Sequence, residues 1–139
     1  MTSARPDPAR SSPPRYAGDR SSLGRRGEDA AADYLRGLGY RIVARNWRCR
    51  AGEIDLIARI EHQGRSKIIF CEVKTRAGLG YGDPLESITY AKRRRLRQLA
   101  GYWLASTGEH ADDLRMDAIG IVLFPGSAPQ IRHVPGIDG

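Results

Sequence analysis

The stretch KIIFCEVKT, Lys67 to Thr75, constrains the fold more than any other part of the chain. Side chains alternate between the two faces of a strand, so Ile68 and Phe70 share a face with Glu72 and Lys74, while Cys71 and Val73 point the other way. A strand that is apolar on both faces is covered on both sides and belongs in the middle of a sheet. Near its end, one face of this strand turns from Ile and Phe to Glu and Lys. The preceding run EIDLIARI, Glu53 to Ile60, carries Asp55 inside a second apolar strand, with Glu53 and Asp55 on the face of Ile57. Between the two runs, EHQGRS supplies polar turn residues around Gly64, which predicts an antiparallel hairpin. Paired about that turn, Asp55 falls close to Glu72 across the ladder.

The flanking segments fit the same architecture. YRIVARNW, 40–47, alternates apolar and basic residues and predicts a half-exposed strand. SSLGRRGEDAAADYLRGLGY predicts a helix, capped at Ser21 or Ser22 and ended by a left-handed turn at Gly39. Gly27, Ala31, Tyr34 and Leu38 mark its stripe, and Glu28 falls at the edge of the buried face. TYAKRRRLRQLAGYWLAS predicts a second helix capped by Thr89, with Leu96, Leu99, Ala100, Trp103 and Leu104 as its apolar face. LRMDAIGIVLF predicts a fourth strand, and PQIRHV a short edge strand with Pro129 at its start. The glycine-rich AGLGYGDP lacks the spacing of a phosphate-binding Walker loop. The expected fold class is α/β: a central mixed sheet flanked by helices, in the order helix, three strands, helix, strand, with an extra edge strand.

At 139 residues the chain suits one domain, expected over 21–134. Residues 1–20, rich in Ser, Pro, Arg and Ala, read as a disordered basic tail, and 135–139 as a short C-terminal tail. The net charge is +7. Four arginines and two aspartates in the first twenty residues leave most of that excess on the folded part, which favours an anionic partner. Nucleic acid leads, ahead of membrane lipid or plain solubility. Cys49 and Cys71 stand alone and read as buried thiols in a reducing compartment. His62, His110 and His133 lack zinc-ligand spacing. No run of about 18 apolar residues suggests a membrane span, and the N-terminus has no apolar signal region. The expected location is the cytoplasm, with no membrane partner.

Two carboxylates about 4 Å apart repel by about 4 kcal/mol at an effective dielectric near 20. Uncompensated, one of them must hold its proton. A divalent cation such as Mg²⁺, which favours carboxylate and carbonyl oxygens, removes the conflict. Lys74, facing the same way, can orient or deprotonate a water there, or balance charge. Such a cluster suits attack on a phosphodiester. The alternative is a simple Glu72–Lys74 ion pair, with Asp55 at a strand end in water. On the second helix Lys92, Arg93, Arg94, Arg95 and Arg97 crowd one another, a repulsion that phosphates would relieve; a solvated face is the alternative. Trp47, among Arg45, Arg48 and Arg50, reads as a core tryptophan before a base-stacking one.

Asp55 followed by Glu72-Val73-Lys74 resembles the PD-(D/E)xK nuclease superfamily, whose shared core is the restriction-endonuclease-like fold. GRRGEDAAADYL (Gly24–Leu35), RNWRCRAGEIDLIAR (Arg45–Arg59), FCEVKTR (Phe70–Arg76) and RMDAIGIV (Arg115–Val122) resemble the YraN-like family of predicted endonucleases, over about residues 21–134. The resemblance implies a metal-dependent endonuclease acting on DNA, in repair or recombination, or a catalytically silent nucleic-acid-binding module on the same scaffold. It implies Mg²⁺ or Mn²⁺ held by Asp55, Glu72 and the Val73 carbonyl, with Lys74 as the catalytic lysine. Glu28 matches an acidic residue that many relatives place on the first helix, where it binds the metal through water; a first-turn glutamate favoured by the helix dipole is the equal alternative. Glu53 matches the motif in a supporting role. Gln98 and Tyr102 have the spacing of the Q-x-x-x-Y element of RecB-type nucleases. Ile54 stands where the superfamily name has proline. A homodimer would suit a two-stranded substrate.

Overall fold

The structure, a computed structural model, describes residues 17–78 and 82–138. In chain order it contains α1 (Ala17–Gly37), β1 (Arg41–Cys49), β2 (Gly52–His62), β3 (Arg65–Ala77), a short 3₁₀ turn (Pro84–Ser87), α2 (Tyr90–Thr107), β4 (Asp113–Leu123) and β5 (Gln130–Val134). The five strands form one sheet in the order β1-β2-β3-β4-β5. β1, β2 and β3 are an antiparallel meander; β3 and β4 run parallel, and β5 returns antiparallel on the edge. This is the expected mixed α/β sheet, with the layout of a restriction-endonuclease-like core.

Local chemistry explains the joints. Gln63 and Gly64 both take positive φ, at 53° and 78°, and His62 pairs with Arg65 around them. That two-residue turn matches the right-handed twist of the strands it joins. Thr89 caps α2 by accepting the Lys92 amide, and Gly108 closes the helix in the left-handed region. β3 lies at the centre, and its Ile68, Ile69, Phe70 and Cys71 are fully buried.

Two cores sandwich the sheet. Leu56, Ala58, Ile69, Cys71, Val73, Ile119 and Ile121 pack under Ala31, Ala32 and Leu35 of α1. Ile57, Ile68, Phe70 and Met116 pack against Leu96, Leu99, Ala100 and Trp103 of α2, with Trp47 at the margin as a core tryptophan. Phe70 meets Trp103 edge-on, ring centroids 5.7 Å apart. Truncating Phe70 to alanine would remove that contact and leave a cavity, at a cost of about 3–5 kcal/mol.

Several boundaries differ from expectation. Helix α1 begins at Ala17, so Ser21 and Ser22 lie inside it rather than capping it, and residues 17–20 are helical rather than tail. Ala17 and Arg20 favour helix, while Gly18 and Asp19 sit in the first turn, where poor helix formers cost least. The remainder of the expected tail, 1–16, lies outside the described residues, as do 79–81 of the glycine-rich loop. Leu38 is 51% exposed; the helix turns its Ala32–Leu35 edge to the sheet instead. Cys49 is half-buried rather than buried. Residues 135–138 are not a loose tail: Ile137 donates its amide to Met116 O at 2.8 Å and packs on the α2-side core. No described helix is long and apolar enough to cross a membrane.

Candidate active site

Asp55 sits where β2 stops behaving as a regular strand. The β2–β3 ladder runs to Leu56 opposite Cys71, and continuing the register puts Asp55 opposite Glu72. There the carboxylate intervenes: the Val73 amide donates to Asp55 Oδ2 at 2.7 Å. Ile54 belongs to the α2-side core and Leu56 to the α1-side core. Strict alternation would put both on one face, so it breaks at Asp55. The expected common face for Glu53, Asp55 and Ile57 is therefore corrected, because the alternation of faces slips between Ile54 and Leu56.

The surroundings of Asp55 are hostile to its charge. Burial, then the nearby Glu72, push its pKa up to about 8; the Val73 amide works against that shift, and Glu28 and Glu53 add to it. The carboxyl therefore holds a proton at neutral pH unless a cation takes its place.

Glu72 and Lys74 stand beyond Phe70 on β3. Lys74 Nζ lies 3.3 Å from Glu72 Oε2, with the two side chains 29% and 24% exposed. The ion pair read as an alternative from the sequence is thus present, and it lies beside Asp55. The β4 neighbours in register are small, Ala118 beside Glu72 and Gly120 beside Lys74. A Cβ at Gly120 would meet Leu85 of the 3₁₀ turn at 3.0 Å, so glycine lets that turn pack close to the lysine.

Glu28 reaches the cluster from α1. Gly27 is buried where any Cβ would land on the Thr75 side chain; the missing side chain seats the helix directly on β3. One residue on, Glu28 Oε1 accepts from Asn46 Nδ2 at 3.0 Å. Asn46 holds a positive φ of 53° in β1, a conformation asparagine tolerates better than most residues. Burial raises the Glu28 pKa, the Asn46 bond opposes it, and Glu53 reinforces it. Glu53 itself lies 3.7 Å from Arg48 Nε.

The donor set suits a hard divalent cation. Asp55 and Glu72 offer carboxylate oxygens, and Lys74 Nζ lies against Glu72. Among the described residues no three His, Cys, Asp or Glu side chains gather closely enough to hold an ion by themselves. Mg²⁺ does not require that, since it keeps several waters and commonly takes one or two carboxylates.

The basic residues of α2 are all exposed, but they are not equivalent. Arg95 donates to Ala51 O at 3.3 Å, Arg97 pairs with Asp138, and the Arg94 guanidinium lies 5.8 Å from the centre of the Tyr90 ring. Arg93 lines a small cavity that reaches Ala118, the β4 neighbour of Glu72. Gln98 and Tyr102 are exposed on the same helix.

A fully buried carboxylate that the sequence reading does not single out lies on β4. Asp117 is 0% exposed. It receives two bonds from Arg115 at 2.8 Å, His133 Nε2 lies at 2.7 Å, and the Gly136 amide donates at 3.1 Å. His133 Nδ1 in turn lies 2.9 Å from the Tyr34 hydroxyl of α1. The signal was available: Arg115 and Asp117 interrupt an apolar strand just as Glu72 and Lys74 do. Its partner His133, sixteen residues on, carried no local cue.

Residues 27–121 match the model of the family described as "Uncharacterised protein family UPF0102". A UPF0102 protein of Nocardia farcinica is 47% identical over 120 residues, covering 86% of this chain and 91% of that protein. Others from Clavibacter michiganensis and Rhodococcus jostii are each 50% identical, over 81% of this chain and 92% of their own lengths.

Proposed function

We propose that this chain, which belongs to the family UPF0102 (the YraN family), is a cytoplasmic Mg²⁺- or Mn²⁺-dependent endonuclease that hydrolyses DNA phosphodiester bonds. The observation that carries the reading is the Asp55 carboxyl. It is held by the Val73 amide opposite Glu72 with its pKa pushed to about 8, an arrangement that a divalent cation would relieve.

Asp55, Glu72 and the Val73 carbonyl would hold that ion, which when bound supplies polarisation of a phosphoryl oxygen and a nucleophile at neutral pH. Lys74, whose Nζ lies 3.3 Å from Glu72, would orient an attacking water or balance charge that builds on the phosphate. Glu28, fixed by Asn46, can hold a further water on the α1 side. Lys92, Arg93 and Arg94 supply the phosphate contacts, supported by the exposure of α2 and the positive charge of the chain.

The second reading is a nucleic-acid-binding module that does not cut. The Glu72–Lys74 ion pair and the lack of a three-ligand cluster among the described residues favour it. Lys74→Ala separates the two. With Mg²⁺ or Mn²⁺, wild type should cleave some member of a panel of branched, flapped and single-stranded DNAs. The variant should bind the same DNA and leave it intact. A wild type that binds and cuts nothing on the panel overturns the enzyme in favour of the module.

A further inference from the structure

Tyr90 opens α2 and is 72% exposed. Together with Arg93, Arg94 and Arg97 it lines an open groove of about 600 Å³, whose lining also includes Val134 at the end of β5 and Ile137 beyond it. Asp138, at the same groove, pairs with Arg97, so the positive charge left to meet a ligand there rests on Arg93 and Arg94. A smaller adjoining cavity, about 200 Å³, shares Arg93, Val134 and Ile137 and continues to Ala118. Ala118 stands beside Glu72 in the β3–β4 register. The two cavities together run from the start of α2 to β4; the smaller one also carries Glu86 and the paired Asp83 and Arg132, so the net positive charge lies at the α2 end.

Its chemistry is mixed in a specific way. Guanidinium groups attract phosphate, but Tyr90 and the apolar pair Val134 and Ile137 offer nothing to a phosphate. Paired bases in a duplex keep their faces inside the stack and present mainly phosphates to a protein surface. An unpaired strand presents phosphates and bare aromatic faces together, and such strands are held by basic grooves with aromatic platforms. Arg94, poised over the Tyr90 ring, can contact a phosphate while the opposite ring face takes a base.

We infer that this groove is a subsite for an unpaired DNA strand, in which Tyr90 stacks a base and Arg93 and Arg94 hold the adjoining phosphates. The inference rests on the proposed DNA substrate and names the form in which that substrate enters.

Binding measured by fluorescence anisotropy in EDTA, where no cleavage can intervene, tests it. The probes are an oligothymidylate, an abasic oligomer of the same length, and a blunt duplex of the same length. Tyr90→Ala should weaken oligothymidylate binding by about tenfold and leave the abasic oligomer and the duplex unchanged; Tyr90→Phe should bind oligothymidylate like wild type. An unchanged oligothymidylate affinity in Tyr90→Ala, or an equal loss on the duplex, overturns the subsite while leaving the DNA substrate standing. A wild type that binds none of the three probes also overturns the subsite, while the DNA substrate itself stands or falls on the metal-dependent cleavage panel.

Discussion

Asp55 accepts the Val73 amide at 2.7 Å, one residue beyond the last ladder pair of β2 and β3, and this bond holds a carboxyl where its charge is disfavoured. The unfolded pKa is 3.8 and the folded value about 8. Between those values the folded chain keeps a proton that the unfolded chain has released, so stability falls as pH rises through the window. Below the window the penalty is absent, and above it the penalty is complete. In metal-free buffer, thermal melts of wild type should therefore decline from about pH 4 to pH 8. Asp55→Asn should flatten that decline and be more stable at pH 8 by about 1–3 kcal/mol. Mg²⁺ should raise the wild-type melting temperature at pH 8 and leave that of the variant unchanged. A variant no more stable than wild type at pH 8 would show that Asp55 is adequately solvated.

The seat of α1 on β3 decides where Glu28 arrives. A methyl at Gly27 would overlap the Thr75 hydroxyl and its methyl. Gly27→Ala should destabilise the fold by about 1–3 kcal/mol through overpacking, even though alanine is the better helix former. Thr75→Ala removes the two closest atoms, so the double variant should recover part of the loss in urea unfolding. Strict additivity of the two changes would show that the helix reseats freely and that this contact does not position Glu28.

Much of this arrangement is legible in residue order because the hairpin is local. Gly64 fixes the turn, the turn fixes the register, and the register brings Asp55 to Glu72. The central place of β3 follows from apolar residues on both of its faces. What order cannot disclose is the break in alternation at Asp55. It arises because a side chain replaces a ladder bond, and strand periodicity assumes that no side chain does so. The docking of 135–138 on β4 is similarly invisible, since it depends on the Asp117 and Met116 acceptors far back in the chain. The Lys92–Arg97 run reads as uniform charge in sequence, yet Arg95 and Arg97 have intramolecular partners that only the folded chain supplies.

That inequality among the arginines is measurable. Each phosphate contact contributes about 0.7–0.9 to the slope of log affinity against log salt. Removing Arg93 and Arg94 together should therefore lower the slope for DNA by about 1.4–1.8. Removing Arg97, whose charge is offset by Asp138, should lower it by less than one such increment. Affinity titrations across salt concentration read both. An unchanged slope in the double variant would assign these side chains to solvent.

Asp117 makes the opposite pH argument from Asp55. Burial by itself would raise its pKa, but the Arg115, His133 and Gly136 bonds outweigh that and hold it below 3.8. A depressed acid contributes stability at all pH values above its unfolded pKa, and loses it as pH falls through the folded value. Asp117→Asn leaves Arg115 charged without its counter-ion and should cost about 3–5 kcal/mol in urea unfolding at pH 7. The gap between variant and wild type should narrow as pH falls below 3.8 toward the depressed folded value, because protonation of the unfolded chain then removes the advantage of the paired carboxylate. The damage should also be local: amide exchange should quicken in β5 and at Gly136 and Ile137, which this group ties to β4, before it quickens in β3. A gap that stays constant into the acid range would show that Asp117 acts there through shape and not through charge.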